Sequence, residues 1–112
     1  MSDTIKWPFG KAKIEAPVYA ATVALTISNA FTIIQLALTG ACTLDLTVSA
    51  ELDPGAIVVI RAGSDGTARD LTLGAGINGP VITGTISKIK SQAFFLDSDG
   101  VFKPMGAFAQ VD

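Results

Sequence analysis

From Ala21 onward the chain alternates between apolar and polar positions. Thr22, Ala24 and Thr26 fall on one side of an extended segment and Val23, Leu25 and Ile27 on the other, the period-2 pattern of a half-buried strand. Ser28-Asn29 supplies a turn. The run Ala30–Thr39 follows, with Phe31 and Ile33 on one face and Ile34, Leu36 and Leu38 on the other. A strand apolar on both faces needs cover on both, from the core and from a neighbour. Phe31, Ile34 and Leu38 are also spaced for one face of a helix, but the β-branched residues and the short length favour a strand. Past Gly40, Cys42, Leu44, Leu46 and Val48 are expected to point inward, and Thr43, Asp45, Thr47 and Ser49 to solvent.

The second half continues in short strands divided by turn residues. Asp53-Pro54-Gly55 is a turn in which proline fixes φ and glycine accepts a positive one. Ala56–Ala62 is a buried strand built on Ile57, Val58, Val59 and Ile60. Ser64-Asp65-Gly66-Thr67 has the signature of a tight hairpin returning through Leu71-Thr72-Leu73. Gly74–Pro80 is a glycine-rich loop, and Val81–Ile86 a strand whose Gly84 marks a bulge. A strand over Gln92–Asp97, a Ser98-Asp99-Gly100 turn and Val101-Phe102-Lys103 close the pattern. Six to nine short strands and no helix predict an all-β single domain over residues 17–112, an antiparallel β-sandwich or jelly-roll-like barrel. Residues 1–16 differ: Lys6-Trp7-Pro8-Phe9-Gly10-Lys11 mixes charge, aromatics and a proline without clean periodicity. They are expected to form an extended N-terminal arm, with Pro17 opening the compact domain.

Composition sharpens this in three ways. At 112 residues the chain can bury a core without disulfides or metal. With 49% hydrophobic and 16% charged residues it has little surface to keep wet, a balance that points to a homo-oligomer. A net charge of -2 gives no electrostatic footprint for nucleic acid, since Lys6, Lys11 and Lys13 are the one local basic excess. Met1–Gly10 lacks the pattern of a signal peptide. Ala16–Leu44 carries no charge and is long enough to span a bilayer, yet its many Thr, Ser, Asn and Gln residues and internal turns argue for strands and against a membrane helix. The lone Cys42, on the apolar side of its strand, is read as a small core residue in preference to an intermolecular disulfide or reactive thiol.

Candidate chemistry is sparse. With no histidine and one cysteine, the usual general base, nucleophile partner and zinc ligands are missing, so neither an enzyme, a metal site nor a cofactor is expected. Asp45, Glu51, Asp53, Asp65, Asp70, Asp97 and Asp99 fall at turns or solvent-facing positions, where turn chemistry accounts for them. Asp97-Ser98-Asp99-Gly100 opens like a calcium loop, but Val101-Phe102-Lys103 adds no side-chain oxygen, which favours a hairpin turn. Gly74–Gly79 lacks the following helix of a phosphate cradle. Phe94, Phe95, Phe102 and Phe108 fit core packing better than a sugar-stacking platform, because they alternate within expected strands.

The segment Ser91-Gln92-Ala93-Phe94-Phe95-Leu96-Asp97-Ser98-Asp99-Gly100-Val101-Phe102-Lys103-Pro104-Met105-Gly106 combines an aromatic strand, an Asp-Gly turn, a short strand and a Pro-x-Gly ending. It resembles the closing hairpin of β-domains in tailed-bacteriophage virion proteins: capsid decoration proteins, head fibres and tail-fibre modules. The resemblance covers the C-terminal third of the chain; the middle strands agree only in style, and residues 1–15 not at all. It implies a structural protein of the virion surface, made in the host cytoplasm, that assembles as a homo-oligomer, often a trimer. The leading expectation is a capsid decoration or head-auxiliary protein that binds the major capsid protein, or another virion protein, and stabilises the shell. The alternative is a trimeric fibre or adhesin module that binds a host-surface glycan. Contact candidates are Trp7 and Phe9 on the arm, with Phe31 and Ile33 on the two-faced strand. Trp7 folding back onto its own sandwich is the competing assignment.

Overall fold

The computed structural model describes residues 12–111, the side chain of Phe108 aside. Its strands are β1 (Ala12–Glu15), β2 (Thr22–Ile27), β3 (Phe31–Leu38), β4 (Cys42–Val48), β5 (Ile57–Ser64), β6 (Asp70–Leu73), β7 (Ile82–Thr83), β8 (Ile89–Leu96) and β9 (Phe102–Gln110), with no helix among the described residues. They form a five-stranded sheet, β1-β3-β5-β8-β9, and a four-stranded sheet, β2-β4-β6-β7. The expected all-β, two-sheet architecture is present. The two-faced run at Ala30–Thr39 is a strand, not a helix.

The antiparallel arrangement expected for a sandwich or jelly roll is corrected. Four of the seven strand pairings among the described residues are parallel: β1 with β3, β3 with β5, β2 with β4, and β4 with β6. The antiparallel pairs are β5–β8, β6–β7 and β8–β9. The cause lies in the winding. Up to β6 the chain changes sheet after every strand, so each strand enters beside the one two places earlier and runs in the same direction. Parallel neighbours need a long crossover, and here the crossover is itself a strand of the other sheet. Turn residues mark these corners as they would mark hairpins. Ser64-Asp65-Gly66-Thr67 therefore does not close a hairpin: β5 lies in one sheet and β6 in the other. The corner is held by Arg69, whose Nε and Nη2 donate to the two oxygens of Asp65 at 2.8 and 3.1 Å. The Ser98-Asp99-Gly100 turn does join antiparallel partners, β8 and β9, with Gly100 at φ 80°.

The inner faces follow the alternation. Val23 and Ile27 from β2, Cys42, Leu44 and Leu46 from β4, and Leu71 from β6 are buried in one cluster with Ile34, Leu36 and Leu38 from β3, Val58 and Ile60 from β5, and Phe94 and Phe102. Phe94 and Phe102 are thus core residues, as expected, whereas Phe95, also expected in the core, is half-buried on the opposite face of β8. The glycine-rich loop contributes more than a connection. The Leu46 N–H donates to Ala75 O, the Phe102 N–H to Gly76 O and the Asn78 N–H to Phe102 O, at 2.8 to 2.9 Å. The loop is a strap from the four-stranded sheet to β9, and it buries Ile77 in the core. Part of the expected arm, Ala12–Glu15, is strand β1 on the edge of the larger sheet. Trp7 and Phe9 lie outside the described residues.

Candidate functional site: the outer face of the five-stranded sheet

Each sheet has an inner face against the core and an outer face, and the two outer faces differ in chemistry. On the four-stranded sheet, Thr22, Thr43 and Thr72 lie side by side, as do Thr26 and Thr47, then Ala24 and Asp45, then Asp70 and Thr83. Hydroxyls and carboxylates of this kind are the ordinary partners of water on a half-solvated sheet.

The five-stranded sheet presents the opposite. Its register aligns Ala12, Phe31, Ile57, Phe95 and Lys103 in one row across all five strands. The next row is Ile14, Ile33, Val59, Ala93 and Met105. A third sets Gln35, Arg61, Ser91 and Ala109 side by side. Phe31, Ile33, Ile57, Val59 and Phe95 are half-buried by one another, while Ile14 at the edge is 60% exposed and Met105 47%. Even β1, a short strand with two charges, turns Ala12 and Ile14 to this face and shares the other parity between Lys13 and Glu15, which pair at 3.4 Å. Side chains in register at sheet spacing, about 4.8 Å apart across strands, make a contiguous apolar surface. A contiguous patch of this kind is a mark of an interaction site, where scattered exposed hydrophobics are not.

Phe31 and Ile33 are therefore brought together by the fold, near the centre of this face. Ile57, Val59, Phe95 and Met105 were not read as contact residues. The signal for most of them was present, because Ile57–Ile60 and Phe94-Phe95 place apolar residues on both sides of a strand, as Ile33-Ile34 does. Arg61 stands at the polar boundary of the face beside a shallow groove of about 550 Å³, lined by Ala16, Pro17, Gln35, Asp65 and Ile89 among others. Arginine is among the residue types enriched at binding hot spots.

Several of the acidic side chains are engaged by local hydrogen bonds and ion pairs. Lys103 Nζ donates to Asp97 at 3.1 Å and to Asp99 at 2.9 Å, so the residues that open like a calcium loop are bridged by an ammonium. The Ser98 N–H and the Lys103 ammonium hold the Asp97 carboxyl below the usual carboxylate range, and Lys103 with the Val101 N–H does the same for Asp99. Asp45 accepts the Ala75 N–H at 2.8 Å and so fixes the strap. Among the described residues no group of three or more His, Cys, Asp or Glu side chains is arranged to hold a metal ion. Cys42 is buried at 3% exposure, and burial pushes its thiol pKa up. Comparison of the chain with family models, curated proteins and solved structures finds no match.

Proposed function

We propose that this chain is a structural assembly module of a virion, a capsid decoration or head-auxiliary protein, working as a homo-oligomer on the shell. The observation that carries the assembly half of this reading is the contrast between the two outer faces: threonine and aspartate on one sheet, and Phe31, Ile33, Ile57, Val59 and Phe95 in register on the other. One chain under one solvent has no reason to finish its two outer faces so differently unless one of them is covered. Full burial of a Val, Ile or Phe side chain contributes about 1.5–3 kcal/mol, and covering the part of these rows that is still exposed favours association in proportion to the area removed from water. The virion half rests on the resemblance of Ser91–Gly106 to the closing hairpin of phage β-domains. That segment supplies Phe95 and Met105 to the face, so the resemblance and the face meet in the same strands.

The test is the solution mass of the full chain by light scattering, beside Ile33→Glu on the apolar face and Thr72→Glu on the threonine face. An oligomer, with a trimer favoured, is expected for the unaltered chain and for Thr72→Glu, and a folded monomer for Ile33→Glu. A monomer at every concentration for the unaltered chain, or an oligomer untouched by Ile33→Glu, would remove self-association from this face.

A further inference from the structure

The loops gather at two ends of the strands, and the two ends differ in charge and in relief. β1, β3 and β5 run in parallel with β8 against them, so residues 16–21, 39–41, 65–69 and 84–88 lie at one end. Residues 28–30, 49–56 and 97–101 lie at the other.

The first end is basic and carries apolar knobs. Arg61, Arg69, Lys88 and Lys90 stand at or near it against Asp65 and Asp70. Val18 is 90% exposed there and Ile86 56%. Both are held in place. Val18 stands between Pro17, whose ring fixes φ, and Tyr19, whose hydroxyl donates to Ala41 O at 2.8 Å. Ile86 lies inside a closed turn: the Lys88 N–H donates to Thr85 O at 3.0 Å, and the Ser87 N–H ties the turn to Asp65 O at 2.9 Å. Ser87 keeps φ 58° in that turn. A non-glycine residue holds a left-handed backbone only where its surroundings impose it, and such strain gathers at binding sites.

The second end is acidic and concave. Glu51, Asp53, Asp97 and Asp99 stand there against Lys103. Lys103 bridges Asp97 and Asp99, which leaves Glu51 and Asp53 as the carboxylates it does not neutralise. Those two border a shallow groove of about 420 Å³ whose apolar lining is Ala30, Leu52, Pro54 and Ala56.

Each end therefore offers what the other lacks: aliphatic knobs among cations, and an apolar groove among carboxylates. An anionic bilayer would satisfy the first end and leave the second unexplained, whereas one occupant satisfies both. We propose that a second copy of this chain docks end to end, with Ile86 seated in the groove at Leu52 and Pro54 and Lys88 facing Asp53. Val18 widens the apolar contact. The surface is separate from the outer face of the five-stranded sheet and leaves that face for association side by side. A contact between two different patches does not close on itself, so it repeats from copy to copy. Units joined on the apolar face with their strands parallel present like ends together, and the same contact stacks them into a column.

Sedimentation velocity on the full chain carrying Ile33→Glu, which takes the apolar face out of play, tests this. At about 0.01 M salt, where the Debye length is about 30 Å, the mass is expected to rise with protein concentration past two copies. At about 1 M salt it should return to a single copy. Asp53→Lys and Ile86→Asp, both at exposed positions, are each expected to abolish the rise. Mixed in equal amounts, these two variants should form pairs and nothing larger, because one keeps a working knob and the other a working groove. The same series without Ile33→Glu covers a failure of that variant to fold, and counts in units of whatever the apolar face assembles. A mass that stays flat, a mass that stops at two units, or a mixture no larger than its components would overturn the proposal and leave the apolar-face reading as it stands. A rise that persists at high salt would also overturn it, since charge would not be the complement. So would a flat mass with retention on phosphatidylserine vesicles that Ile86→Asp removes, which would place the knobs in lipid.

Discussion

Ile77 lies beside Phe102 as a single parallel bridge, and the two residues join the strap leaving the four-stranded sheet to the last strand of the five-stranded one. Both side chains are buried, at 1% and 0% exposure, so the contact seals one flank of the core as well as tying the sheets together. The strap reaches this position only because Gly76, at φ 77°, passes against the Leu46 carbonyl, where a Cβ would collide with backbone.

Gly76→Ala should therefore be among the most damaging single-methyl additions in the protein. A left-handed non-glycine residue alone costs about 1–3 kcal/mol, and the clash with Leu46 adds to it because backbone cannot swing aside. The expected outcome is a lower urea midpoint with an unchanged slope. Gly66→Ala, where nothing lies within 4 Å of the added methyl and φ is not positive, is the control that should leave the midpoint in place.

Thr32 is expected to behave in the opposite way. It sits at 1% exposure with its Oγ1 lacking a hydrogen-bond partner among the described residues. Thr32→Val keeps the shape and removes a buried hydroxyl that has no partner, so it should stabilise the fold by about 1 kcal/mol. Thermal or urea unfolding of the two proteins side by side reads this directly.

The turn between β8 and β9 sets a pH dependence. The Asp97 and Asp99 carboxyls are depressed in the folded protein, so their contribution is complete above the ordinary carboxylate range, about 4, and is lost as pH falls through the lower folded values. Lys103 is raised, chiefly by Asp99 and then Asp97, so its share is complete below its ordinary value and is lost as pH rises through the higher folded one. Lys103→Met should lower the urea midpoint modestly at neutral pH, since these groups are well solvated. The gap from the unaltered protein should close as both are acidified. A gap that stays constant down to the acid transition would mean the lysine acts through packing and not through charge.

Cys42 should be silent toward thiol reagents until the protein unfolds. Its side chain is buried in the core cluster, and burial disfavours the thiolate that reacts. Labelling with a disulfide reagent across a urea titration is expected to follow the unfolding curve. Fast labelling in native buffer would show that β4 opens locally.

Much of the fold is legible in the pattern of residues, and the limits of that legibility have a physical origin. Alternation reports which face a side chain takes, so Cys42, Leu44 and Leu46 of β4 are buried as their parity predicts, with Val48 at the end of the strand half-buried. It does not report which strand lies alongside. Asp65-Gly66 is as good a hairpin signal as Asp99-Gly100, yet one turns a corner between sheets and the other joins neighbours. β1 escaped notice because four residues with two charges carry too little pattern. The candidate face was half legible for the same reason. Phe31 and Ile33 stood out within one strand, whereas their continuation through Val59, Ala93 and Met105 exists only once β3, β5, β8 and β9 are set in register.

The winding also bears on how the protein reaches this state. Within the sheets only β6–β7 and β8–β9 join strands that follow each other along the chain; every other pairing skips at least one intervening strand. Such a chain has few contacts that can form early at low entropic cost, and the ordering of its parallel pairs must wait for large loops to close. Refolding should be slow for a protein of this size, on the order of milliseconds to seconds, with the β8–β9 hairpin as the local seed. During that interval the apolar strands that later stack in parallel are unpaired. Synthesis at high concentration therefore exposes this protein to misassembly before it exposes it to unfolding.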